Sequence, residues 1–321
     1  MNNKEFSCDS TATIFKGAEA SEITLQHSCL SARCRSGVAK VLSGEVENVT
    51  DELVLSNEEI LAGFTLTCNA KPKSDLLLDI EDLTDYNVPK SKIFPAKINS
   101  IQYLKHDVIR LVLRVSPNAN FRFLPGQYVN IVKGSIKRSY SIANSNSGNR
   151  ELVFFIKNYE GGEMSNHLFN GAKTNDLLRI EGSLGSFFLR NTEKTNLVFL
   201  ATGIGIAPVK SIIESSEQNQ KILIGKRIFV IWGGRFREDI FLDFQSYPEI
   251  SFQKALSRED DVSNSYKGYV QDCLLASDID LFDSQVYACG FNEMINSAKV
   301  KLCASGLNDV DFFSDAFVST N

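Results

Sequence analysis

At about residue 191 the hydrophobic pattern of this chain changes period, and that change most restricts the folds open to it. From Ala96 onward, short runs such as AKINSIQYL, VIRLVLRV, GQYVNIV, RSYSIA and ELVFFIKN are each bounded by turn residues. Their even spacing predicts an antiparallel β-barrel over residues 96–191. Beyond it, the apolar strands LVFLATG, RIFVIWGG and QVYACG alternate with the helix-like stretches APVKSIIESS and NEMINSAKVKLCASG. That alternation predicts a parallel sheet with crossover helices, a nucleotide-binding α/β domain over 192–321.

The N-terminal segment has a third texture. Strand-like runs TATIF, AKVLSGEV and LLLDI and one helical candidate at Asn57 to Ala62 predict a small β-rich module over 1–82. Residues 83–95 lose periodicity and contain Pro89 and Pro95, which reads as a linker.

Charge and composition exclude several classes. A net charge of −5 argues against a nucleic-acid surface. Between Glu45 and Asp85 eleven acidic residues face two lysines, which is either a solvated face or a field that steers a basic protein partner. No run approaches the ~18 apolar residues of a membrane span, and the polar start MNNKEFSCDS lacks the apolar core of a secretory signal, so a soluble cytoplasmic protein is expected. The seven cysteines are an odd number, so each is read as ligand, catalytic thiol or core filler rather than as part of a disulfide framework.

Cys29 and Cys34 form a C-x4-C, and Cys68 follows in LTCNAKPKSD. A plant-type [2Fe-2S] site needs C-x4-C-x2-C and a distant fourth cysteine. Gly37 stands at the third place. The flanking VAKVLSGEV and the surroundings of Cys68 resemble a plant-type ferredoxin, so Cys29, Cys34 and Cys68 are candidate metal ligands in a module one ligand short. A ferredoxin-like fold without a cluster, and a labile cluster completed from outside, both remain open.

Leu124-Pro-Gly-Gln-Tyr128 followed by Arg138-Ser139-Tyr140-Ser141 is the most specific signal. Arg138 offers a guanidinium fork to a flavin phosphate, Tyr140 an aromatic wall to the ring, and Ser141 a hydroxyl toward flavin N5. Gly161-Gly162-Glu-Met164-Ser165 marks a helix start whose free N–H groups suit a pyrophosphate. His167, within that helix, is expected to pack or to face solvent. Gly182-Ser-Leu-Gly185-Ser-Phe187 reads as a turn toward the next domain.

On the nucleotide side, Thr202-Gly203-Ile-Gly205-Ile-Ala-Pro208 permits a tight strand-to-helix turn, although it is not the G-x-G-x-x-G fingerprint. Gly234 and Arg235 end a second strand beside the expected nucleotide. Cys289-Gly290 ends a third, where open α/β sheets bind ligands.

The ordered set R-x-Y-S, GG-x-M-S, G-x-G-x-A-P and C-G resembles the ferredoxin-NADP reductase superfamily over residues 96–321. With its N-terminal module, the chain is similar to bacterial NAD(P)H reductases of the CDP-6-deoxy-Δ3,4-glucoseen reductase and multicomponent oxygenase reductase type. The resemblance implies a β-grasp ferredoxin-like domain, an antiparallel FAD-binding barrel and a parallel α/β nicotinamide nucleotide domain. It implies electron flow from NADH, or NADPH, through FAD and a [2Fe-2S] centre where one is held. The acceptor would be a protein partner, an oxygenase or dehydrase component. It implies that Ser141, Cys289 and Asp315 surround the reacting rings, with Phe317 of the ending Asp315-Ala-Phe317 against the flavin. A cluster-less flavin or quinone reductase and a non-catalytic FAD-binding redox sensor are the competing expectations.

Overall fold

The computed structural model describes residues 4–51, 54–146, 150–215, 223–244, 246–247 and 249–317. It divides into one unit reaching Pro89 and a second spanning Lys90–Phe317.

In the first unit, helix α1 (Ile14–Ala20) is capped by Thr13, whose hydroxyl accepts from the Lys16 N–H. TATIF, expected as a strand, is therefore a cap and a helix start. Ile14, Phe15 and Ala18 bury together with Leu25 and Ala70, and this packing overrides the β-propensity of the isolated run. Strand β1 (Val38–Ser43) is followed by β2 (Val46–Asn48), helix α2 (Asn57–Leu61), β3 (Phe64–Leu66), β4 (Ala70–Pro72) and β5 (Leu77–Asp79). β1 lies between β3 and β5, antiparallel to both, and β2 pairs with β4. A capping box of Ser56 and Glu59 starts α2.

The stretch read as a linker is structured at both ends. Leu83 is fully buried and donates its N–H to the Thr24 carbonyl at 2.7 Å, so it belongs to the first unit. Strand β6 (Lys92–Lys105) already begins at Lys92. Pro95 is tolerated there because pairing with the neighbour on its other side starts only at Ala96, so no ladder N–H is missed.

The barrel continues with β7 (Val108–Val115), β8 (Tyr128–Lys133), β9 (Ile136–Ser141), β10 (Glu151–Lys157), helix α3 (Glu163–Asn170) and β11 (Leu177–Leu184). Its antiparallel order is β10-β7-β6-β11-β8-β9. The two ends meet where the Ala143 N–H donates to the Val153 carbonyl at 2.8 Å. The first half of the segment 182–187, read as a turn, is strand: β11 runs to Leu184, which pairs with Tyr128, and the bend comes at Gly185 with φ +84°. Gly182 is needed for packing, since a Cβ there would lie 2.8 Å from Val129 Cγ1.

The rest of the second unit comprises β12 (Asn196–Thr202), α4 (Ile206–Glu214), β13 (Arg227–Gly234), β14 (Ile250–Leu256), β15 (Tyr266–Lys267), α5 (Val270–Leu275), β16 (Ser284–Gly290), α6 (Asn292–Ala304) and β17 (Phe312–Ala316). All six strands are parallel, in the order β15-β14-β13-β12-β16-β17.

Barrel and sheet share a core. Leu152, Phe154 and Ile156 of β10 fill the barrel, while Val153 and Phe155, on the opposite face, join Phe199, Ile206, Trp232 and Cys289. LVFFI, residues 152–156, is thus apolar throughout because both of its faces are buried. Among the described residues no helix is long and apolar enough to cross a membrane.

Candidate active site

The strand order reverses at β12, with β13 on one side and β16 on the other. In open parallel sheets, ligands bind at the carboxyl ends of the strands beside such a switch point. Thr202, Gly203, Gly205, Cys289 and Gly290 are all there, with Ala201 registered against Cys289. Gly203 has φ +55°, and a Cβ on it would meet nothing within 4 Å, so open space faces the turn. Gly205 is tight: a Cβ would lie 2.3 Å from the Cys289 carbonyl. Pro208 sits in the first turn of α4, where its missing N–H costs nothing. Thr202 Oγ1 is buried without a protein partner, a polar atom available to a ligand.

On the neighbouring pair, Cys289 is registered against Asp315, and the Phe317 N–H donates to the Gly290 carbonyl at 2.9 Å. Phe317 packs on the shared core. The four residues after it lie outside the described residues. Burial, reinforced by the Asp315 charge, pushes the Cys289 thiol well above its ordinary range, so it is a neutral group.

Gly234 ends β13, and Arg235, the next residue, is exposed. The Asp239 carboxylate accepts from the Arg235 N–H at 2.9 Å and the Phe236 N–H at 3.2 Å, fixing this loop. Asp239 also accepts from Lys105 of β6 at 2.9 Å. Trp232, the single tryptophan, donates its indole N–H to the Gly203 carbonyl at 3.0 Å. Sequence reasoning missed Lys105, Asp239 and Trp232. A lone buried Trp needing an N–H partner was the one local signal available.

The flavin-side residues form a second group. Arg138 and Tyr140 share one face of β9, and Ser139 and Ser141 the other, by strand alternation. Ser139 donates to Asn130 at 2.7 Å, and Ser141 is the last residue of the strand. Tyr140 and Met164 join the barrel core. Burial pushes the Tyr140 phenol upward, so it stays protonated. Arg138 donates to the Lys137 carbonyl at 2.8 Å and makes no ion pair among the described residues.

Gly162 is the N-cap of α3 and offers no side-chain cap, leaving first-turn N–H groups available. A Cβ on Gly161, at φ +73°, would meet nothing within 4 Å. Ser165 donates to the Gly162 carbonyl at 3.0 Å and holds this turn. An unpaired guanidinium, an uncapped helix start and open space beside Gly161 fit a flavin diphosphate. His167 packs as expected: burial and the Lys133 charge lower its pKa, and its Nδ1 lies 3.1 Å from Lys133 Nζ.

The thiols form a third group, in the first unit. The Cys29 N–H donates to Cys34 Sγ at 3.3 Å. A hydrogen bond from Cys34 pulls the Cys29 thiol down to about 5, against the effect of burial, and holds the buried Cys34 thiol high. Cys68 accepts from the Ala32 N–H of the same loop. These residues do not fit a [2Fe-2S] cluster. The third place is Gly37, Thr67 Oγ1 would lie 3.3 Å from a Cβ on it, and no metal-holding group of three or more His, Cys, Asp or Glu occurs among the described residues.

Fold and site together define a reductase that uses a flavin and a nicotinamide nucleotide. Residues 95–189 match the family model "Oxidoreductase FAD-binding domain", 199–300 the "Oxidoreductase NAD-binding domain" and 2–73 the "2Fe-2S iron-sulfur cluster binding domain". The chain is 35% identical over 320 residues to CDP-6-deoxy-L-threo-D-glycero-4-hexulose-3-dehydrase reductase of Yersinia pestis, covering 98% of this chain and 95% of that one. It is 27% identical to the toluate 1,2-dioxygenase electron transfer component of Pseudomonas putida, covering 91% and 87%. A ferredoxin reductase in carbazole 1,9a-dioxygenase shares the fold, with a TM-score of 0.69 and 23% identity over 99% and 97% of the two chains. The chain therefore belongs to the family of NAD(P)H-dependent flavoprotein reductases that includes the Yersinia dehydrase reductase.

Proposed function

We propose that this protein takes electrons from NADH and delivers them through FAD to a protein partner, a deoxyhexulose dehydrase component. The observation that carries the reading is the nucleotide turn 203–205 packed against β10 of the barrel, which brings the two binding groups onto one core. The relatives named for a sugar dehydrase share more identity with this chain than the oxygenase component does, which favours the dehydrase partner.

Arg138 and the α3 start would hold the flavin phosphates, and Tyr140 would lie against its ring. Bound FAD would supply the conversion between a two-electron donor and one-electron acceptors. Thr202, Gly203 and Gly205 let the nucleotide approach the backbone, and the neutral Cys289 beside Asp315 bounds the nicotinamide position. Phe317 and the shared apolar core exclude water from the reacting atoms. Ser141 would orient the flavin from the end of β9.

Steady-state NADH oxidation by the FAD-loaded chain, with cytochrome c as acceptor and then with a purified dehydrase component, tests this. Negligible turnover with both would leave the redox-sensor reading. A second reading, direct reduction of free flavin or quinone, is favoured by the incomplete thiol set and predicts kcat/KM higher with those acceptors than with any protein.

A further inference from the structure

We infer that Cys29 and Cys34 form a reversible dithiol–disulfide site where relatives of this fold carry ligands for iron. Residues 29–34 bend back on themselves through Leu30 at φ +52° and Ala32 at φ +57°, two left-handed residues that are not glycine. The bend sets the Cys29 N–H on Cys34 Sγ at 3.3 Å and the Ser31 N–H on Cys29 Sγ at 3.5 Å. Two sulfurs held by one tight loop are placed to bond to each other.

The surroundings exclude the alternative use of these thiols. Thr67 donates both its N–H, at 3.0 Å, and its hydroxyl, at 3.3 Å, to the Gly37 carbonyl, so that position is occupied by a backbone contact. Cys8 cannot substitute: its thiol donates to the Thr13 carbonyl at 3.6 Å and packs on Gly17, where a Cβ would lie 2.4 Å from its sulfur. Besides Cys68, which accepts from the Ala32 N–H, no further thiol among the described residues belongs to this unit.

Accessibility sets the order of events. Cys34 is buried, whereas Cys29 is partly open beside the exposed Leu30. A small-molecule disulfide of the glutathione type is the oxidant. Cys29 gives its proton to solvent and its sulfur attacks one sulfur of that disulfide, whose S–S bond breaks, so that a mixed disulfide forms and one thiolate is released to take up a proton. Cys34 gives its proton to solvent and attacks the Cys29 sulfur. The Cys29–Cys34 bond forms and the second thiolate leaves. Two protein thiols are oxidised and one external disulfide is reduced to two thiols, and an external dithiol reverses the sequence.

The test uses the full chain purified without oxygen, treated with oxidised glutathione and mapped by peptide mass spectrometry beside an iron assay. The expected result is a Cys29–Cys34 cross-linked peptide in an iron-free protein, reversed by dithiothreitol. Cys34→Ser should trap glutathione on Cys29, and Cys29→Ser should leave Cys34 unmodified. Gly37→Cys should bind iron that the wild type does not. Three results would overturn the inference: glutathione on Cys8 or Cys68 in preference, no cross-link in the wild type, or wild-type iron equal to that of Gly37→Cys.

Discussion

Lys105 of β6 and Asp239 of the loop after β13 form an ion pair of 2.9 Å that ties the flavin barrel to the nucleotide sheet. Only 13% and 24% of the two side chains are exposed. Asp107 takes a second contact from Lys105 at 3.3 Å. Because Asp239 also receives the Arg235 and Phe236 N–H groups, the pair positions the exposed Arg235 relative to the barrel.

Lys105→Met should therefore raise KM for NADH about tenfold, roughly 1.4 kcal/mol, with kcat and FAD content little changed. Steady-state kinetics on FAD-saturated enzyme measures the split, and an unchanged KM would show that the loop holds itself. Burial works to raise the Asp239 pKa, but the Lys105 and backbone hydrogen bonds outweigh it and lower it. Its stabilisation is thus full above the ordinary Asp value near ~3.9 and is lost as pH falls through the lower folded value. The Lys105→Met variant should show a shallower loss of Tm on acidification over that window.

Arg138→Ala should weaken FAD binding by a factor of roughly ten to a hundred. A charge-assisted phosphate contact is typically worth ~1.5 to 3 kcal/mol. Flavin retained per chain after dialysis reports the loss, and retention equal to wild type removes Arg138 from the phosphate site.

Cys289→Ala should slow flavin reduction about tenfold or more while FAD stays bound. The thiol is fully buried at the switch point, and in the proposed reading its removal alters the wall that sets the donor–acceptor distance rather than the flavin phosphate site. Stopped-flow reduction at saturating NADH reads the chemical step, and a rate within about twofold of wild type assigns Cys289 to packing. Because the thiol is neutral, the reduction rate should not titrate at an ordinary cysteine pKa, near ~8.5.

Gly205→Ala and Gly203→Ala should fail in different ways. The first puts a Cβ 2.3 Å from the Cys289 carbonyl, a backbone atom that cannot swing aside, and should destabilise the fold by about 1–3 kcal/mol. The second puts it into open space, at a backbone cost of ~1–2 kcal/mol for the left-handed φ, and should mainly block NADH. Paired thermal melts and nucleotide titrations separate them, and equal NADH affinity in Gly203→Ala would place the nucleotide elsewhere.

NADH should be preferred over NADPH by kcat/KM. The Arg258 N–H donates to the Arg235 carbonyl at 2.8 Å, and the Ser257 hydroxyl to the Gly234 carbonyl at 3.3 Å, bringing this loop beside the nucleotide strand. Glu259, Asp260 and Asp261 follow in the same loop, and their charge would repel a 2′-phosphate. Glu259 to Gln should narrow the preference. A wild-type kcat/KM larger with NADPH overturns the assignment.

The two periods on either side of residue 191, and the glycines of the three candidate turns, are properties of the chain itself. Alternation and turn chemistry act over a few residues, so the barrel, the parallel sheet and the positions of Arg138, Tyr140, Gly203 and Gly290 could be read directly. The missing thiolate at Gly37 was equally local. Where a residue's conformation depends on what packs against it from far along the chain, local pattern was insufficient. Ile14 and Phe15 are helical because Leu25 and Ala70 bury them, Lys92–Pro95 is strand because β11 pairs with it, and Gly182 is present because Val129 leaves no room for a Cβ. The tie between Lys105 and Asp239, distant in sequence, and the fourfold adjacency of Ala201, Cys289, Asp315 and Thr202 at the switch point exist only once the strands are ordered in space. Burial and register, which no short window encodes, decided them.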